Sequence, residues 1–158
     1  LEHYQEIIQH VGLKIDFIGL SQQIIVHTLE NLYPRLMKKN HLILYPSNHA
    51  WECVAWYNHR IEFCETVFEL DGSLSQEMNE SLIRRGMNIR LFDNFLIVGE
   101  MEESPFLKKE IEKFLQIETL LINLFNHFKT SSNIKKKVSF QALQSFSYCL
   151  GLAYGNKK

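Results

Sequence analysis

The chain has 158 residues, 46% hydrophobic and 12% aromatic, with a net charge of −1 and a pI of about 6.7. That is the size of one ordinary domain with enough apolar mass for a core, and it lacks the basic field that nucleic acid or an anionic membrane surface would call for. Cys53, Cys64 and Cys149 make neither a disulfide framework nor a CxxC pattern, which fits a reducing cytosol. The chain starts at Leu1, which reads as a trimmed N-terminus. No charged-then-apolar leader is visible, and no run approaches the roughly 20 apolar residues of a membrane span.

In chain order, "EHYQEIIQHVG" reads as a short helix, with Tyr4, Ile7, Ile8 and Val11 at helical spacing and Gly12 as its stop. "LKIDFIGL" alternates and suits a strand or a lead into a helix. "LSQQIIVHTLENL" is an amphipathic helix with Ser21 as its cap. "LYPRLM" and "HLILYP" flank the polar "KKN", a hairpin pattern, with Pro34 placing the first run at a sheet edge. Ser47 or Asn48 can cap a helix from His49 whose stripe is Trp51, Val54, Ala55 and Ile61, with Glu52 and Arg60 toward solvent.

"DGSLSQ" follows as a loop, and "QEMNESLIRRG" as a helix closed by Gly86. "MNIRLF" and "FLIVGE" flank Asp93-Asn94 as a second hairpin. "SPFLKKEIEKFLQIETLLINLFNHF" is the strongest helical pattern, with Pro105 in its first turn. Its stripe includes Leu107, Ile111, Phe114, Ile117, Leu121, Leu124 and Phe128, and is wide enough to need a second helix or a partner against it. "KTSSNIKKK" is a basic linker. The predicted fold class is α+β, an antiparallel sheet sandwiched by helices with a long C-terminal helix. The predicted organisation is a lead over 1–19, a domain over 20–129, and a linker with a short helical tail over 130–158.

The densest chemistry lies in "SNHAWECVAWYNHRIEFCETVF", residues 47–68, which holds both tryptophans, two histidines and two cysteines. His49, Cys53, His59 and Cys64 fit no strong zinc spacing, and a solvent-facing His with buried Cys is the simpler reading. Cys53 or Cys64 beside a histidine can make a thiolate pair, but no local nucleophile motif or orienting third group accompanies either. Glu62 and Glu65 are spaced as surface carboxylates commonly are. A pocket walled by Trp51, Trp56 and Tyr57, with Glu65 as its polar anchor, has the right composition for a small-molecule site. A tryptophan-rich core helix with no cavity has the same composition. No catalytic residue, metal or cofactor is implied, and no phosphate-loop motif occurs.

The layout of "NLYPRLMKKNHLILYPSNHAW" resembles the N-terminal sensor domain of LuxR-type transcriptional regulators, which is a PAS-like α/β/α sandwich. The resemblance spans roughly residues 20–130. It places Trp51, then Trp56-Tyr57, then Glu65-Thr66 where that family carries its Trp, Tyr and Asp-Pro. "RRGMNIRLFDNFLIVGE" looks like its glycine-led strand pair, and residues 104–128 like its closing helix. The resemblance implies an amphiphilic, autoinducer-like ligand, quorum sensing and a cytoplasmic homodimer formed through the 104–128 helix. Trp51 would donate to a ring carbonyl, Trp56 or Tyr57 would cover an acyl part, Glu65 would accept from an amide, and Tyr45 would add to the lining. Ser139, Leu143 and Phe146 look like the start of that family's helix-turn-helix, but Gln141-Ala142 departs from it and the recognition helix is absent. The resemblance therefore implies no DNA binding by this chain alone. A ligand-free dimeric interaction module on the same fold is the alternative.

Overall fold

"LILY" at 42–45 and "FLIV" at 95–98 have no polar face, the pattern of strands covered on both sides. In the computed structural model, which describes residues 20–47, 50–67, 74–99 and 104–127, both are inner strands of one sheet. The elements run α1 (Ser21–Leu32), β1 (His41–Ser47), β2 (Ala50–Tyr57), β3 (Arg60–Val67), α2 (Leu74–Arg84), β4 (Asn94–Val98), α3 (Ser104–Leu115) and β5 (Thr119–Ile122). Single 3₁₀ turns lie at Leu36–Lys38, Ile89–Leu91 and Leu124–His127. The sheet order is β3-β2-β1-β4-β5. β1, β2 and β3 form an antiparallel meander, and β4 and β5 add on the other side of β1 in parallel, with Leu42 opposite Phe95 and Leu96 opposite Leu120.

Period-two alternation sends the side chains to two cores. Leu42, Leu44, Cys53, Ala55, Phe95 and Ile97 pack under α2 and α3, against Met78, Leu82, Leu107, Ile111 and Leu115. Ile43, Tyr45, Val54, Trp56, Leu96 and Val98 pack under α1, against Ile25, Val26 and Leu29. Burying each of these large apolar side chains stabilises the fold by about 1.5–3 kcal/mol. The result is a three-layer molecule with helices on both faces of a mixed sheet.

Several sequence expectations are corrected here. The sheet is mixed, not antiparallel: each parallel neighbour is reached by a helical crossover, α2 leading to β4 and α3 to β5. The tryptophan-led helix from His49 is instead β2 and β3. Trp51, Cys53, Ala55 and Tyr57 alternate with Glu52, Val54 and Trp56, and Asn58 and His59 turn the chain with φ of 50° and 62°, as tight hairpin turns require. "LYPRLM" is a 3₁₀ turn and not a strand, so β1 pairs with β2. "MNIRLF" is likewise a 3₁₀ turn before β4, not one arm of a hairpin.

The long helix stops at Leu115. Gln116 is left-handed (φ 53°), and the apolar residues beyond it continue as β5. No continuous 104–128 helix exists to serve as a dimer seam. The expected helix α1 is present, though Ser21 makes no capping bond. The 76–86 helix is present as α2, which begins at Leu74 and is followed by a left-handed Gly86. The predicted N-terminal helix, the alternating run before Leu20 and the basic tail lie outside the described residues.

Candidate functional site

The sheet separates the five expected pocket residues. Tyr45 and Trp56 face α1, while Trp51, Tyr57 and Glu65 lie on the side of α2 and α3. They do not converge on one cavity. Trp56 is buried and its indole Nε1 donates to the Met37 carbonyl at 3.1 Å. Tyr57 meets Phe92 edge to face, with ring centroids 6.1 Å apart. Trp51 packs at the margin of the core under α2 and α3.

Two carboxylates anchor the two faces. Glu65, its side chain 28% exposed, accepts a hydrogen bond from the Ser81 hydroxyl of α2. Arg84 Nη2 approaches its Oε1 at 3.5 Å, and Arg85 Nη1 its Oε2 at 3.6 Å. Arg85 also donates to the Ser81 carbonyl at 3.1 Å and lies 4.5 Å over the Phe63 ring. The chain's own side chains thus satisfy Glu65, and no ligand amide is needed to do so. On the opposite face Glu52 Oε2 accepts from Tyr45 Oη at 2.6 Å, Gln22 Nε2 at 2.5 Å and Ser21 Oγ at 3.1 Å. The sequence reading turned Glu52 to solvent because it took this stretch for a helix. As a strand residue Glu52 instead ties β2 to the first turn of α1.

Burial pushes the Cys53 thiol far up, with Glu65 and Cys64 adding to the effect, and it also raises Cys64, helped by the Glu52 charge. Both thiols are protonated at neutral pH, the opposite of an activated nucleophile. Among the described residues no group of three or more His, Cys, Asp or Glu side chains is arranged to hold a metal ion. No helix among them is long and apolar enough to cross a membrane.

An open groove of about 300 Å³ lies where the Ile89–Leu91 turn meets the end of α3. It is lined by Ile89, Arg90, Phe92, Phe114, Leu115, Gln116 and Ile117, and the surface it exposes is more polar than apolar. Phe114 is 62% exposed. The sequence reading placed Phe114 in the helix's buried stripe. The buried face is Leu107, Ile111 and Leu115, three residues at steps of four, which already covers this side of the sheet and leaves Phe114 at its flank. That closed stripe is the signal that could have singled out Phe114. Nothing in the sequence marks the groove itself, because its two walls come from segments some 25 residues apart.

No protein-family model matches the chain, and no curated protein matches it in sequence. Among solved structures it is similar to a chain of a PilM-PilN type IV pilus biogenesis complex, with a TM-score of 0.67 and 14% identity over 99% of this chain and 57% of that one. It also matches a Bacteroides thetaiotaomicron protein with an actin-like ATPase fold (TM-score 0.49, 12% identity, 79% of this chain and 44% of that one). A third match is an Aquifex aeolicus Ppx/GppA phosphatase (TM-score 0.42, 10% identity, 97% and 61%). The chain spans less than two thirds of the length of each. At these identities the likeness is one of fold. It overturns the LuxR-type resemblance and, with it, the autoinducer-sensing, transcriptional and quorum-sensing reading: β4 and β5 run parallel to β1, an arrangement the antiparallel PAS-like sandwich does not have.

Proposed function

We propose that this chain is a protein-interaction module of an assembly of the PilM-PilN kind, acting by binding and not by catalysis of its own. The likeness in fold to a chain of that pilus biogenesis complex, over 99% of this chain, carries the reading. The exposed Phe114 side chain at the rim of an open groove supports it, since a solvent-facing aromatic beside polar groups suits a partner's side chains. A non-catalytic role agrees with the protonated cysteines and with the engagement of Glu52 and Glu65 in internal hydrogen bonds.

Co-expression with a PilM-like and with a PilN-like protein, each in turn, tests this reading. The chain is expected to co-elute with one of them on size-exclusion chromatography. Elution apart from both at micromolar concentrations would overturn it. ATP incubated with the purified chain is expected to release no phosphate above the buffer rate, and turnover would remove the non-catalytic part of the proposal.

A further inference from the structure

The two edges of the sheet are finished differently. At β5, Phe95 and Gly99 donate to the Glu118 and Ile122 carbonyls, so alternation turns the backbone groups of Thr119, Leu121 and Asn123 outward. Side chains of the same chain occupy part of that edge. Glu112 Oε1 accepts from the Thr119 N–H at 3.2 Å, and Tyr33 Oη donates to the Asn123 carbonyl at 3.1 Å. β5 is also only four residues long, against eight in β3. The start of β3 is guarded too: Ala55 faces Phe63 but Trp56 faces Ile61, which leaves Glu62 as a bulge, and Glu62 accepts from Arg60 at 2.6 Å. Residues 63–67 then pair regularly with 51–55, and among the described residues nothing bonds to their outer backbone groups. Such an edge is a template for one more strand. Ile61 and Phe63 add apolar surface that the two cores cover only in part.

We propose that a second copy of this chain pairs antiparallel with residues 63–67, about a twofold axis at Cys64, so that the two five-stranded sheets become continuous. Charge complementarity favours a second copy and this register. The axis at Cys64 sets Glu65 of the second copy beside Phe63, over which the Arg85 guanidinium lies at 4.5 Å. Arg85 and Arg84 hold their own Glu65 loosely, at 3.6 and 3.5 Å, so each copy offers a guanidinium to the other's carboxylate, twice by symmetry. Glu62, paired with Arg60, falls beside Thr66. On α2, Glu80 accepts from Gln76 at 3.0 Å and Glu77 is engaged within the chain. An axis at Glu62 or Glu65 would put like carboxylates face to face. One at Phe63 would set Glu65 against Ile61, and one at Thr66 would leave three residues of the strand to pair.

Size-exclusion chromatography with light scattering, run over a concentration series, tests the proposal. The native chain is expected to pass from monomer to dimer across the micromolar range, and the β3 amides, early to exchange in the monomer, to gain protection as it does. Cys64→Lys, at an exposed position, sets two ammonium groups opposite each other and should weaken the dimer at least about tenfold, whereas Cys64→Ser should leave it unaltered. Circular dichroism melts confirm that each variant is folded. The register has its own readout. Opposite residues of an antiparallel pair have Cα atoms roughly 4.5–5.5 Å apart, within reach of a disulfide. In a Cys149→Ser background, with Cys53 buried, diamide takes up the two thiol hydrogens as the S–S bond forms, and should give a reducible dimer that Cys64→Ser abolishes. A chain that stays monomeric, a dimer indifferent to Cys64→Lys, or a dimer without the Cys64 cross-link would each overturn the proposal. So would protection of β3 that appears only when a PilM-like or PilN-like protein is added, which would make another protein's strand the occupant. Self-association and that co-elution are separate observations, so either can fail without the other.

Discussion

Asn40 joins three separate pieces of chain. Its side chain accepts from the Asn58 N–H at 3.0 Å and donates to the Leu91 carbonyl at 3.1 Å, while its backbone exchanges hydrogen bonds with Asp93. Asn40→Ala leaves both side-chain partners to water and should cost about 1–2 kcal/mol in urea denaturation. Its neighbour His41 is fully buried, with its Nε2 2.8 Å from the Leu36 carbonyl. Burial lowers its pKa from 6.5, against smaller opposing effects of the Leu36 carbonyl and Asp93. Below pH about 6.5 the unfolded chain takes up a proton at this site that the folded chain refuses, so this contribution to stability is lost as pH falls. The melting temperature is expected to drop between pH 7 and pH 5. A Gln at position 41 should lower the plateau and flatten the profile across that window.

The β2–β3 hairpin turns on two residues with left-handed backbone, Asn58 and His59. Asn tolerates that conformation, whereas His pays a steric penalty that Gly would not. His59→Gly loses the edge contact to Trp56, 6.5 Å between centroids, yet should stabilise the chain by about 0.5–1 kcal/mol in equilibrium unfolding. At the far edge of the sheet, the end of α3 is set by the left-handed Gln116, which releases the chain into β5. The same break leaves room for the groove beside Phe114.

Across the whole molecule, β1, β2 and β4 are flanked by strands on both sides and covered by helices on both faces, so their amides should be the slowest to exchange with deuterium. β3 and β5 are edges and should exchange sooner. Leu96, fully buried on β4 under α1, joins these layers, and Leu96→Ala should cost about 2–5 kcal/mol and speed exchange in β1 and β5 together. Exchange in β5 alone would mean that the sheet does not act as one cooperative unit.

By itself, the amino-acid sequence determined the helices at 21–32 and 76–84, the start of the helix at Ser104, and the strand character of "HLILYP" and "FLIV", because apolar period and glycine stops are local properties. It read Trp56 and Glu65 as lining a ligand pocket, whereas Met37, Ser81 and the two arginines of the same chain are their partners. Strand direction was decided only in three dimensions. "FLIV" beside Asp93-Asn94 reads equally as a hairpin arm or as an inner parallel strand, and its pairing with β1, more than 50 residues away, selects the second. Whether "WECVAWY" is helix or strand was likewise settled by its neighbours, since its apolar residues satisfy both periods until β1 and β3 bond to either side. The groove belongs to the tertiary structure alone, because Arg90 and Phe114 become neighbours only after α3 has crossed the sheet.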